Sequence, residues 1–284
     1  MPPTEIRICT NGMELTAKQW GSADAPAVIA LHGWLDNAAS FDRLAPVLSG
    51  YRIIALDFAG HGYSAHRPAG VRYHELDNVD DVIALADALD LEHFILLAHS
   101  WGAGIATYTA GTFPERISKL MLVEGIGSNT SHPNEAPSIL RKAVEGLKKA
   151  DAKRKPVYET RDEAIRARSQ AHAGISVDAA TQLCSRGLQP VHGGFSWRSD
   201  PRLKMSSAIR PTEEMMTAYL QRLTMPVLMI CGRHSLLATD PTLQLRADEI
   251  PDCRSILLDG NHHLHLELDT CSAVADAIAA FLRD

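Results

Sequence analysis

Phe94-Ile95-Leu96-Leu97-Ala98-His99-Ser100-Trp101-Gly102-Ala103-Gly104 is the stretch that decides the fold class. An apolar run of strand length ends in a turn at Ser100, and a helical pattern begins directly after it. Small residues stand two before and two after the serine, at Ala98 and Gly102. A sharp strand-to-helix turn forces its central residue into a strained conformation, and larger side chains at the flanks would collide. Its hydroxyl then stands at the C-terminal edge of a sheet, beside helix N–H groups that favour negative charge. Gly102, Ala103 and Gly104 also let the helix approach the sheet closely. A serine in this place is a candidate nucleophile; the plainer reading is a helix N-cap.

Outward from this turn, strands and helices alternate. Strands are expected at Glu14–Gly21, Ala25–Leu31, Tyr51–Phe58, His93–His99 and Lys119–Glu124, and helices at Ser40–Leu48, Val79–Leu89 and Trp101–Phe113. From Ser128 to about Leu223 no clear strand is visible, and prolines punctuate helical stretches. The alternation resumes with a strand at Pro226–Cys231, a helix at Pro241–Glu249, a strand at Ser255–Asp259 and a helix at Cys271–Leu282. This order implies a mostly parallel central sheet with helices on both faces, interrupted by a helical cap. The expected division is a core of residues 1–127 and 224–284 and a cap of residues 128–223.

Composition narrows the function. The 284 residues are 45% hydrophobic and 22% charged, which argues against a disordered chain. A net charge of −6 offers no overall basic footprint for nucleic acid. The apolar runs are too short to span a bilayer, and Met1-Pro2-Pro3-Thr4-Glu5-Ile6 lacks a signal-peptide pattern, so the cytoplasm is the expected compartment. Five cysteines without CxxC spacing suit reduced, mostly buried thiols. Thr130–Gln170 holds ten Lys/Arg against six Asp/Glu, a local excess of positive charge most simply read as solvated helix faces.

Two further loops bring chemistry to the same sheet edge. After the strand ending at Leu31, His32-Gly33-Trp34 turns the backbone so that the Trp34 N–H can meet a carbonyl oxygen. The Trp101 N–H would be the second donor of such an oxyanion hole, and one donor of this kind is worth on the order of 2.7–4 kcal/mol. The loop Asp259-Gly260-Asn261-His262-His263-Leu264-His265-Leu266-Glu267 carries three candidate general bases, His262, His263 and His265. A metal cluster is the rival reading, but H-H-x-H on one loop lacks remote ligands, so no metal is expected. For the acid, Glu124 ends an apolar strand and would be a costly buried carboxylate without a partner. Asp240 is the alternative.

These residues together resemble the α/β-hydrolase superfamily. The resemblance is carried by His32-Gly33-Trp34, Asp57-x-x-Gly60-x-Gly62-x-Ser64, Ala98-x-Ser100-x-Gly102, Glu124 and the Asn261-His262 loop. Leu31–Asn37 and Ser40–Leu44 look most like the serine hydrolase-like proteins. Ala98 and Asn261 stand where that superfamily usually has glycine. A His followed five residues later by Glu is common there, so Glu267 selects His262 as the base. The acid usually follows the strand after the cap, but Ser235 occupies that place. His99-Ser100-Trp101-Gly102 also resembles the His-Asp-Trp-Gly turn of haloalkane dehalogenases and epoxide hydrolases, with Ser in place of Asp. Some of those dehalogenases take their acid from the position of Glu124. Serine attack on a saturated carbon would end in an ether, so Ser100 points to an acyl centre. The resemblance implies a serine esterase acting on a small-molecule ester without a cofactor. A thioesterase or carbon–carbon bond hydrolase with the same triad, and a non-catalytic ligand-binding fold, are the other readings. The residues say nothing of oligomeric state.

Overall fold

A computed structural model describes residues 2–150, 155–171 and 174–284, without the side chains of 147–150. Eight strands form one sheet in the order β1-β2-β4-β3-β5-β6-β9-β10. They are β1 (Thr4–Thr10), β2 (Met13–Trp20), β3 (Ala27–Leu31), β4 (Arg52–Asp57), β5 (Phe94–His99), β6 (Ile117–Val123), β9 (Val227–Gly232) and β10 (Cys253–Leu258). Within this sheet only the β1–β2 and β2–β4 pairs are antiparallel. Every other neighbour is parallel.

The central strands are apolar throughout because both of their faces are covered. Along β3, Ile29 and Leu31 join one core cluster while Val28 and Ala30 join the other. The first cluster seats α1 (Asp77–Ala88), α2 (Trp101–Thr112) and α7 (Pro241–Asp248). The second packs α8 (Cys271–Arg283) with Phe41 and Leu44 on the opposite face.

The insertion contains α3 (Ala136–Ala150), α4 (Arg161–Ser169), α5 (Val177–Gly187) and α6 (Glu213–Leu220). Two expectations about it need correction. It does hold strands: β7 (Leu188–Val191) and β8 (Gly194–Trp197) form a hairpin. Gly193 and Gly194 take φ of +85° and +136°, and a Cβ at Gly194 would sit 2.0 Å from the Tyr158 carbonyl oxygen. Strands of four residues around Pro190 are too short to show an alternation. The last helix, α6, belongs by packing to the α/β body, since Met216, Leu220 and Leu223 lie in the first core cluster.

Two smaller corrections concern the first third. The helical spacing of Ser40–Leu48 becomes two separate 3-10 turns, Ala38–Phe41 and Ala45–Val47, the second with Pro46 in its first turn. The edge strand β1 was not read from the sequence; it is largely exposed and offers little apolar signal. Of the positive stretch Thr130–Gln170, residues 151–154 lie outside the described residues. Among the described residues, no helix is long and apolar enough to cross a membrane.

Charged pairs tie the inserted segment to the sheet body. Arg186 of α5 donates to Asp57 at 2.7 Å and to both carboxylate oxygens of Glu5 at 2.6 and 2.8 Å. Arg168 of α4 pairs with buried Asp36 at 2.7 Å. The Trp34 indole donates to the Leu203 carbonyl at 3.0 Å.

Candidate active site

Ser100 is the residue between β5 and α2, with φ +52° and ψ −115°. Its N–H continues the ladder to the Val123 carbonyl at 2.9 Å, so the chain is still in the sheet when the turn begins. A Cβ at Gly102 would lie 2.5 Å from the Leu31 carbonyl oxygen and 2.7 Å from that of His32, so this position admits no side chain. The hydroxyl makes no capping bond to α2. The N-cap reading of Ser100 therefore fails, and the oxygen instead meets His262 Nε2 at 2.9 Å.

On the other side of the ring, His262 Nδ1 lies 2.9 Å from Glu124 Oε2. A carboxylate only accepts, so Nδ1 carries the proton and Nε2 is left to accept from the Ser100 hydroxyl. The imidazole is about a quarter exposed, whereas the Glu124 side chain is fully buried. Glu124 follows β6 with φ +56°, and its N–H bonds the Ile230 carbonyl of β9 at 2.9 Å. Its carboxylate accepts three bonds: from His262, from the Gly232 N–H at 2.5 Å and from the Ser235 hydroxyl at 2.5 Å. Three donors make a fully buried carboxylate tolerable.

Ser235 thus has a use that the sequence did not reveal. It stands where an acid was expected and donates to Glu124, one strand further in. Asp240 is elsewhere employed: it caps α7 by accepting from the Thr242 N–H at 2.9 Å.

The loop after β3 passes close by. His32 is fully buried and neutral; its Nδ1–H donates to the Gly33 carbonyl at 2.8 Å, and Nε2 accepts from the Phe58 N–H at 3.3 Å. Leu35, at φ +63°, donates its N–H to His61 Nε2 at 3.3 Å. Burial, reinforced by neighbouring His32, pushes His61 down to about 3, so it remains an acceptor. His32 and His61 hold the turn that carries Trp34, which is half exposed. Trp101 is the first residue of α2, where helix geometry leaves its N–H without an intrahelical partner. Its ring packs against Phe58 and His61.

Among the described residues five non-glycine residues have positive φ, and Leu35, Ser100 and Glu124 are three of them. Backbone strain of order 1–3 kcal/mol each is therefore concentrated here. His263 and His265 are buried beneath His262. Among the described residues no group of three His, Cys, Asp or Glu side chains is arranged to hold a metal. Burial pushes the thiols of Cys184 and Cys271 up to about 11 and that of Cys231 up to about 12, away from thiolate reactivity. Asp57 and Ser64 of the Gly-rich motif are structural. The Asp57 carboxylate takes N–H groups from Ala38 and Tyr63 at 2.7 and 2.8 Å, and a Cβ at Gly62 would lie 2.2 Å from it.

A sequence profile of the alpha/beta hydrolase fold matches residues 26–268. The chain is 32% identical to a probable serine hydrolase of Drosophila melanogaster, covering 99% of this chain and 88% of that protein. It is similar to the crystal structure of a hypothetical protein from Pseudomonas aeruginosa PAO1, with a TM-score of 0.95 and 42% identity over 99% of both chains. A thioesterase domain from the curacin biosynthetic pathway superposes with a TM-score of 0.87 at 25% identity, covering 98% of this chain and 99% of that one.

Proposed function

The chain belongs to the alpha/beta hydrolase fold family, and from that footing we propose that it is a serine hydrolase that cleaves small or medium carboxylic esters through an acyl-enzyme on Ser100. The observation that carries the reading is the unbroken row from Glu124 Oε2 to His262 Nδ1 and from His262 Nε2 to Ser100 Oγ, with both links at 2.9 Å. His262 takes the hydroxyl proton as Ser100 attacks the carbonyl carbon. Glu124 holds the ring in the required tautomer and offsets the imidazolium charge. The N–H groups of Trp34 and Trp101 receive the oxyanion. His262 then protonates the departing alcohol and activates water to release the acid. No cofactor enters this scheme. Most of the segment 128–223 covers the site as a cap and supplies the acyl pocket, and the five free cysteines support a reducing compartment, the cytoplasm.

A thioester is the second substrate class, favoured by the likeness to the curacin thioesterase domain. The same residues serve it, because only the leaving group changes.

Treatment with a fluorophosphonate, followed by peptide mass mapping, is expected to label Ser100. Hydrolysis of p-nitrophenyl acetate and of matched acyl thioesters should vanish in Ser100→Ala. A folded protein inert to the probe and to both substrate series would establish the non-catalytic reading instead.

A further inference from the structure

We propose that His99 is a positioning residue that fixes the nucleophile turn, the histidine loop and the oxyanion loop against one another; this rests on the serine-hydrolase reading above. Three contacts carry it. His99 precedes Ser100 and ends β5, paired across the ladder with Val123, the residue before Glu124. Its Nε2 lies 2.8 Å from the backbone carbonyl oxygen of His262. A carbonyl only accepts, so Nε2 carries the proton. Its Nδ1 lies 2.8 Å from where a Cβ at Gly33 would stand, so the ring lies against the turn that leads to Trp34. One imidazole therefore touches or adjoins every segment that supplies a group to the reaction.

The position asks for a particular side chain. The donor must reach the carbonyl of His262, remain neutral and fit a site that is 1% exposed. The His265 ring supports it from 4.1 Å between centroids and the His263 ring from 5.2 Å, while the His262 ring stands at 5.0 Å. A cation here would oppose the imidazolium that forms on His262. Burial, followed by the neighbouring His265, His262 and His263, pushes the His99 pKa well below its ordinary value. Asp36, an acid acting on this group, is engaged by Arg168 and His263. Arginine or lysine would fail on charge and asparagine on reach; glutamine satisfies both, because its amide nitrogen takes the place of Nε2.

The test pairs two amides that differ by one methylene. His99→Gln is expected to keep kcat for p-nitrophenyl acetate within about threefold of the parent. His99→Asn should lose about 10- to 100-fold in kcat with KM within about twofold, the scale of a misplaced catalytic group. A residue that merely fills space would leave the two variants alike, and that result would overturn the proposal. A second reading needs neither variant: 15N-resolved NMR of the parent protein at neutral pH should find His99 as the Nε2–H tautomer, and an Nδ1–H tautomer would also overturn it. The downfield Nδ1–H proton of His262 should persist in His99→Gln and broaden or vanish in His99→Asn. These signals are read without turnover. They decide the role of His99 even if the parent proves inert to esters and fluorophosphonate, a result that would sink the hydrolase reading alone.

Discussion

Acid should unfold this protein earlier than its carboxylates alone would dictate. His32, His61, His99 and His265 are all buried, and burial pushes the pKa of each downward, to about 3 for His61 and His265. In the unfolded chain each titrates near 6.5. Below that pH the unfolded state takes up protons that the folded state refuses, so stability falls as pH falls from about 6.5. Buried acids work in the opposite direction, and burial raises Asp42 among them. Burial raises Glu75 to about 7 and Asp81 to about 6, so both hold protons in the folded state at pH 5.5. With four histidines set against the buried acids, the net difference is on the order of one proton, a slope of roughly 1.4 kcal/mol per pH unit. Against a typical total of 5–15 kcal/mol, several units of acidification exhaust the margin. Urea midpoints followed by tryptophan fluorescence at pH 7.5, 6.5, 5.5 and 5.0 should decline steadily below 6.5. His265→Leu should flatten the slope by up to about 1.4 kcal/mol per unit, since neither ring nitrogen of His265 has a partner among the described residues. A midpoint that stays level or rises between pH 6.5 and 5.0 would refute the reasoning.

Other consequences follow from single contacts. Glu124→Gln should lower kcat by about four orders of magnitude by stabilising the wrong tautomer of His262, measured by ester turnover on a protein with unchanged far-UV circular dichroism. Asp240→Asn should leave turnover intact and shift the urea midpoint by less than about 1 kcal/mol, because Asn caps a helix nearly as well. Ser235→Ala removes one of three donors to a buried carboxylate and should cost about 1–3 kcal/mol of stability with a partial loss of kcat. Gly102→Ala forces a Cβ into two carbonyl oxygens and should cost at least about 1–3 kcal/mol while slowing fluorophosphonate labelling of Ser100.

The parts of the molecule legible in its sequence are those with a local signature. Long apolar runs announce β3, β4, β5, β6 and β9, and a serine between a strand and a helix announces the turn at Ser100. Glu124 was legible for a different reason: a carboxylate at the end of a buried strand demands a partner. What stayed hidden depends on partners distant in the chain. Ser235 reads as a missing acid until the strand order sets it 2.5 Å from Glu124, 111 positions away. His99 reads as a filler before the serine until the loop holding His262, 163 residues on, folds over it. The cap hairpin escaped because its strands are four residues long and one holds a proline.

The acid borne by β6 has a consequence for how this site can change over time. Ser100 and Glu124 each stand one residue beyond the last paired residues of adjoining strands, His99 and Val123. Their separation is set by the spacing of one ladder, about 4.8 Å, and not by the path of any loop. The segment from Arg233 to Asp240 is thereby relieved of carrying a proton-relay group; of its side chains only the Ser235 hydroxyl remains tied to Glu124. Insertions and exchanges beyond Ser235 can remodel the rim beside the site while Ser100 and Glu124 keep their backbone spacing. On the serine-hydrolase reading proposed above, substrate choice and chemistry are carried by different stretches of chain.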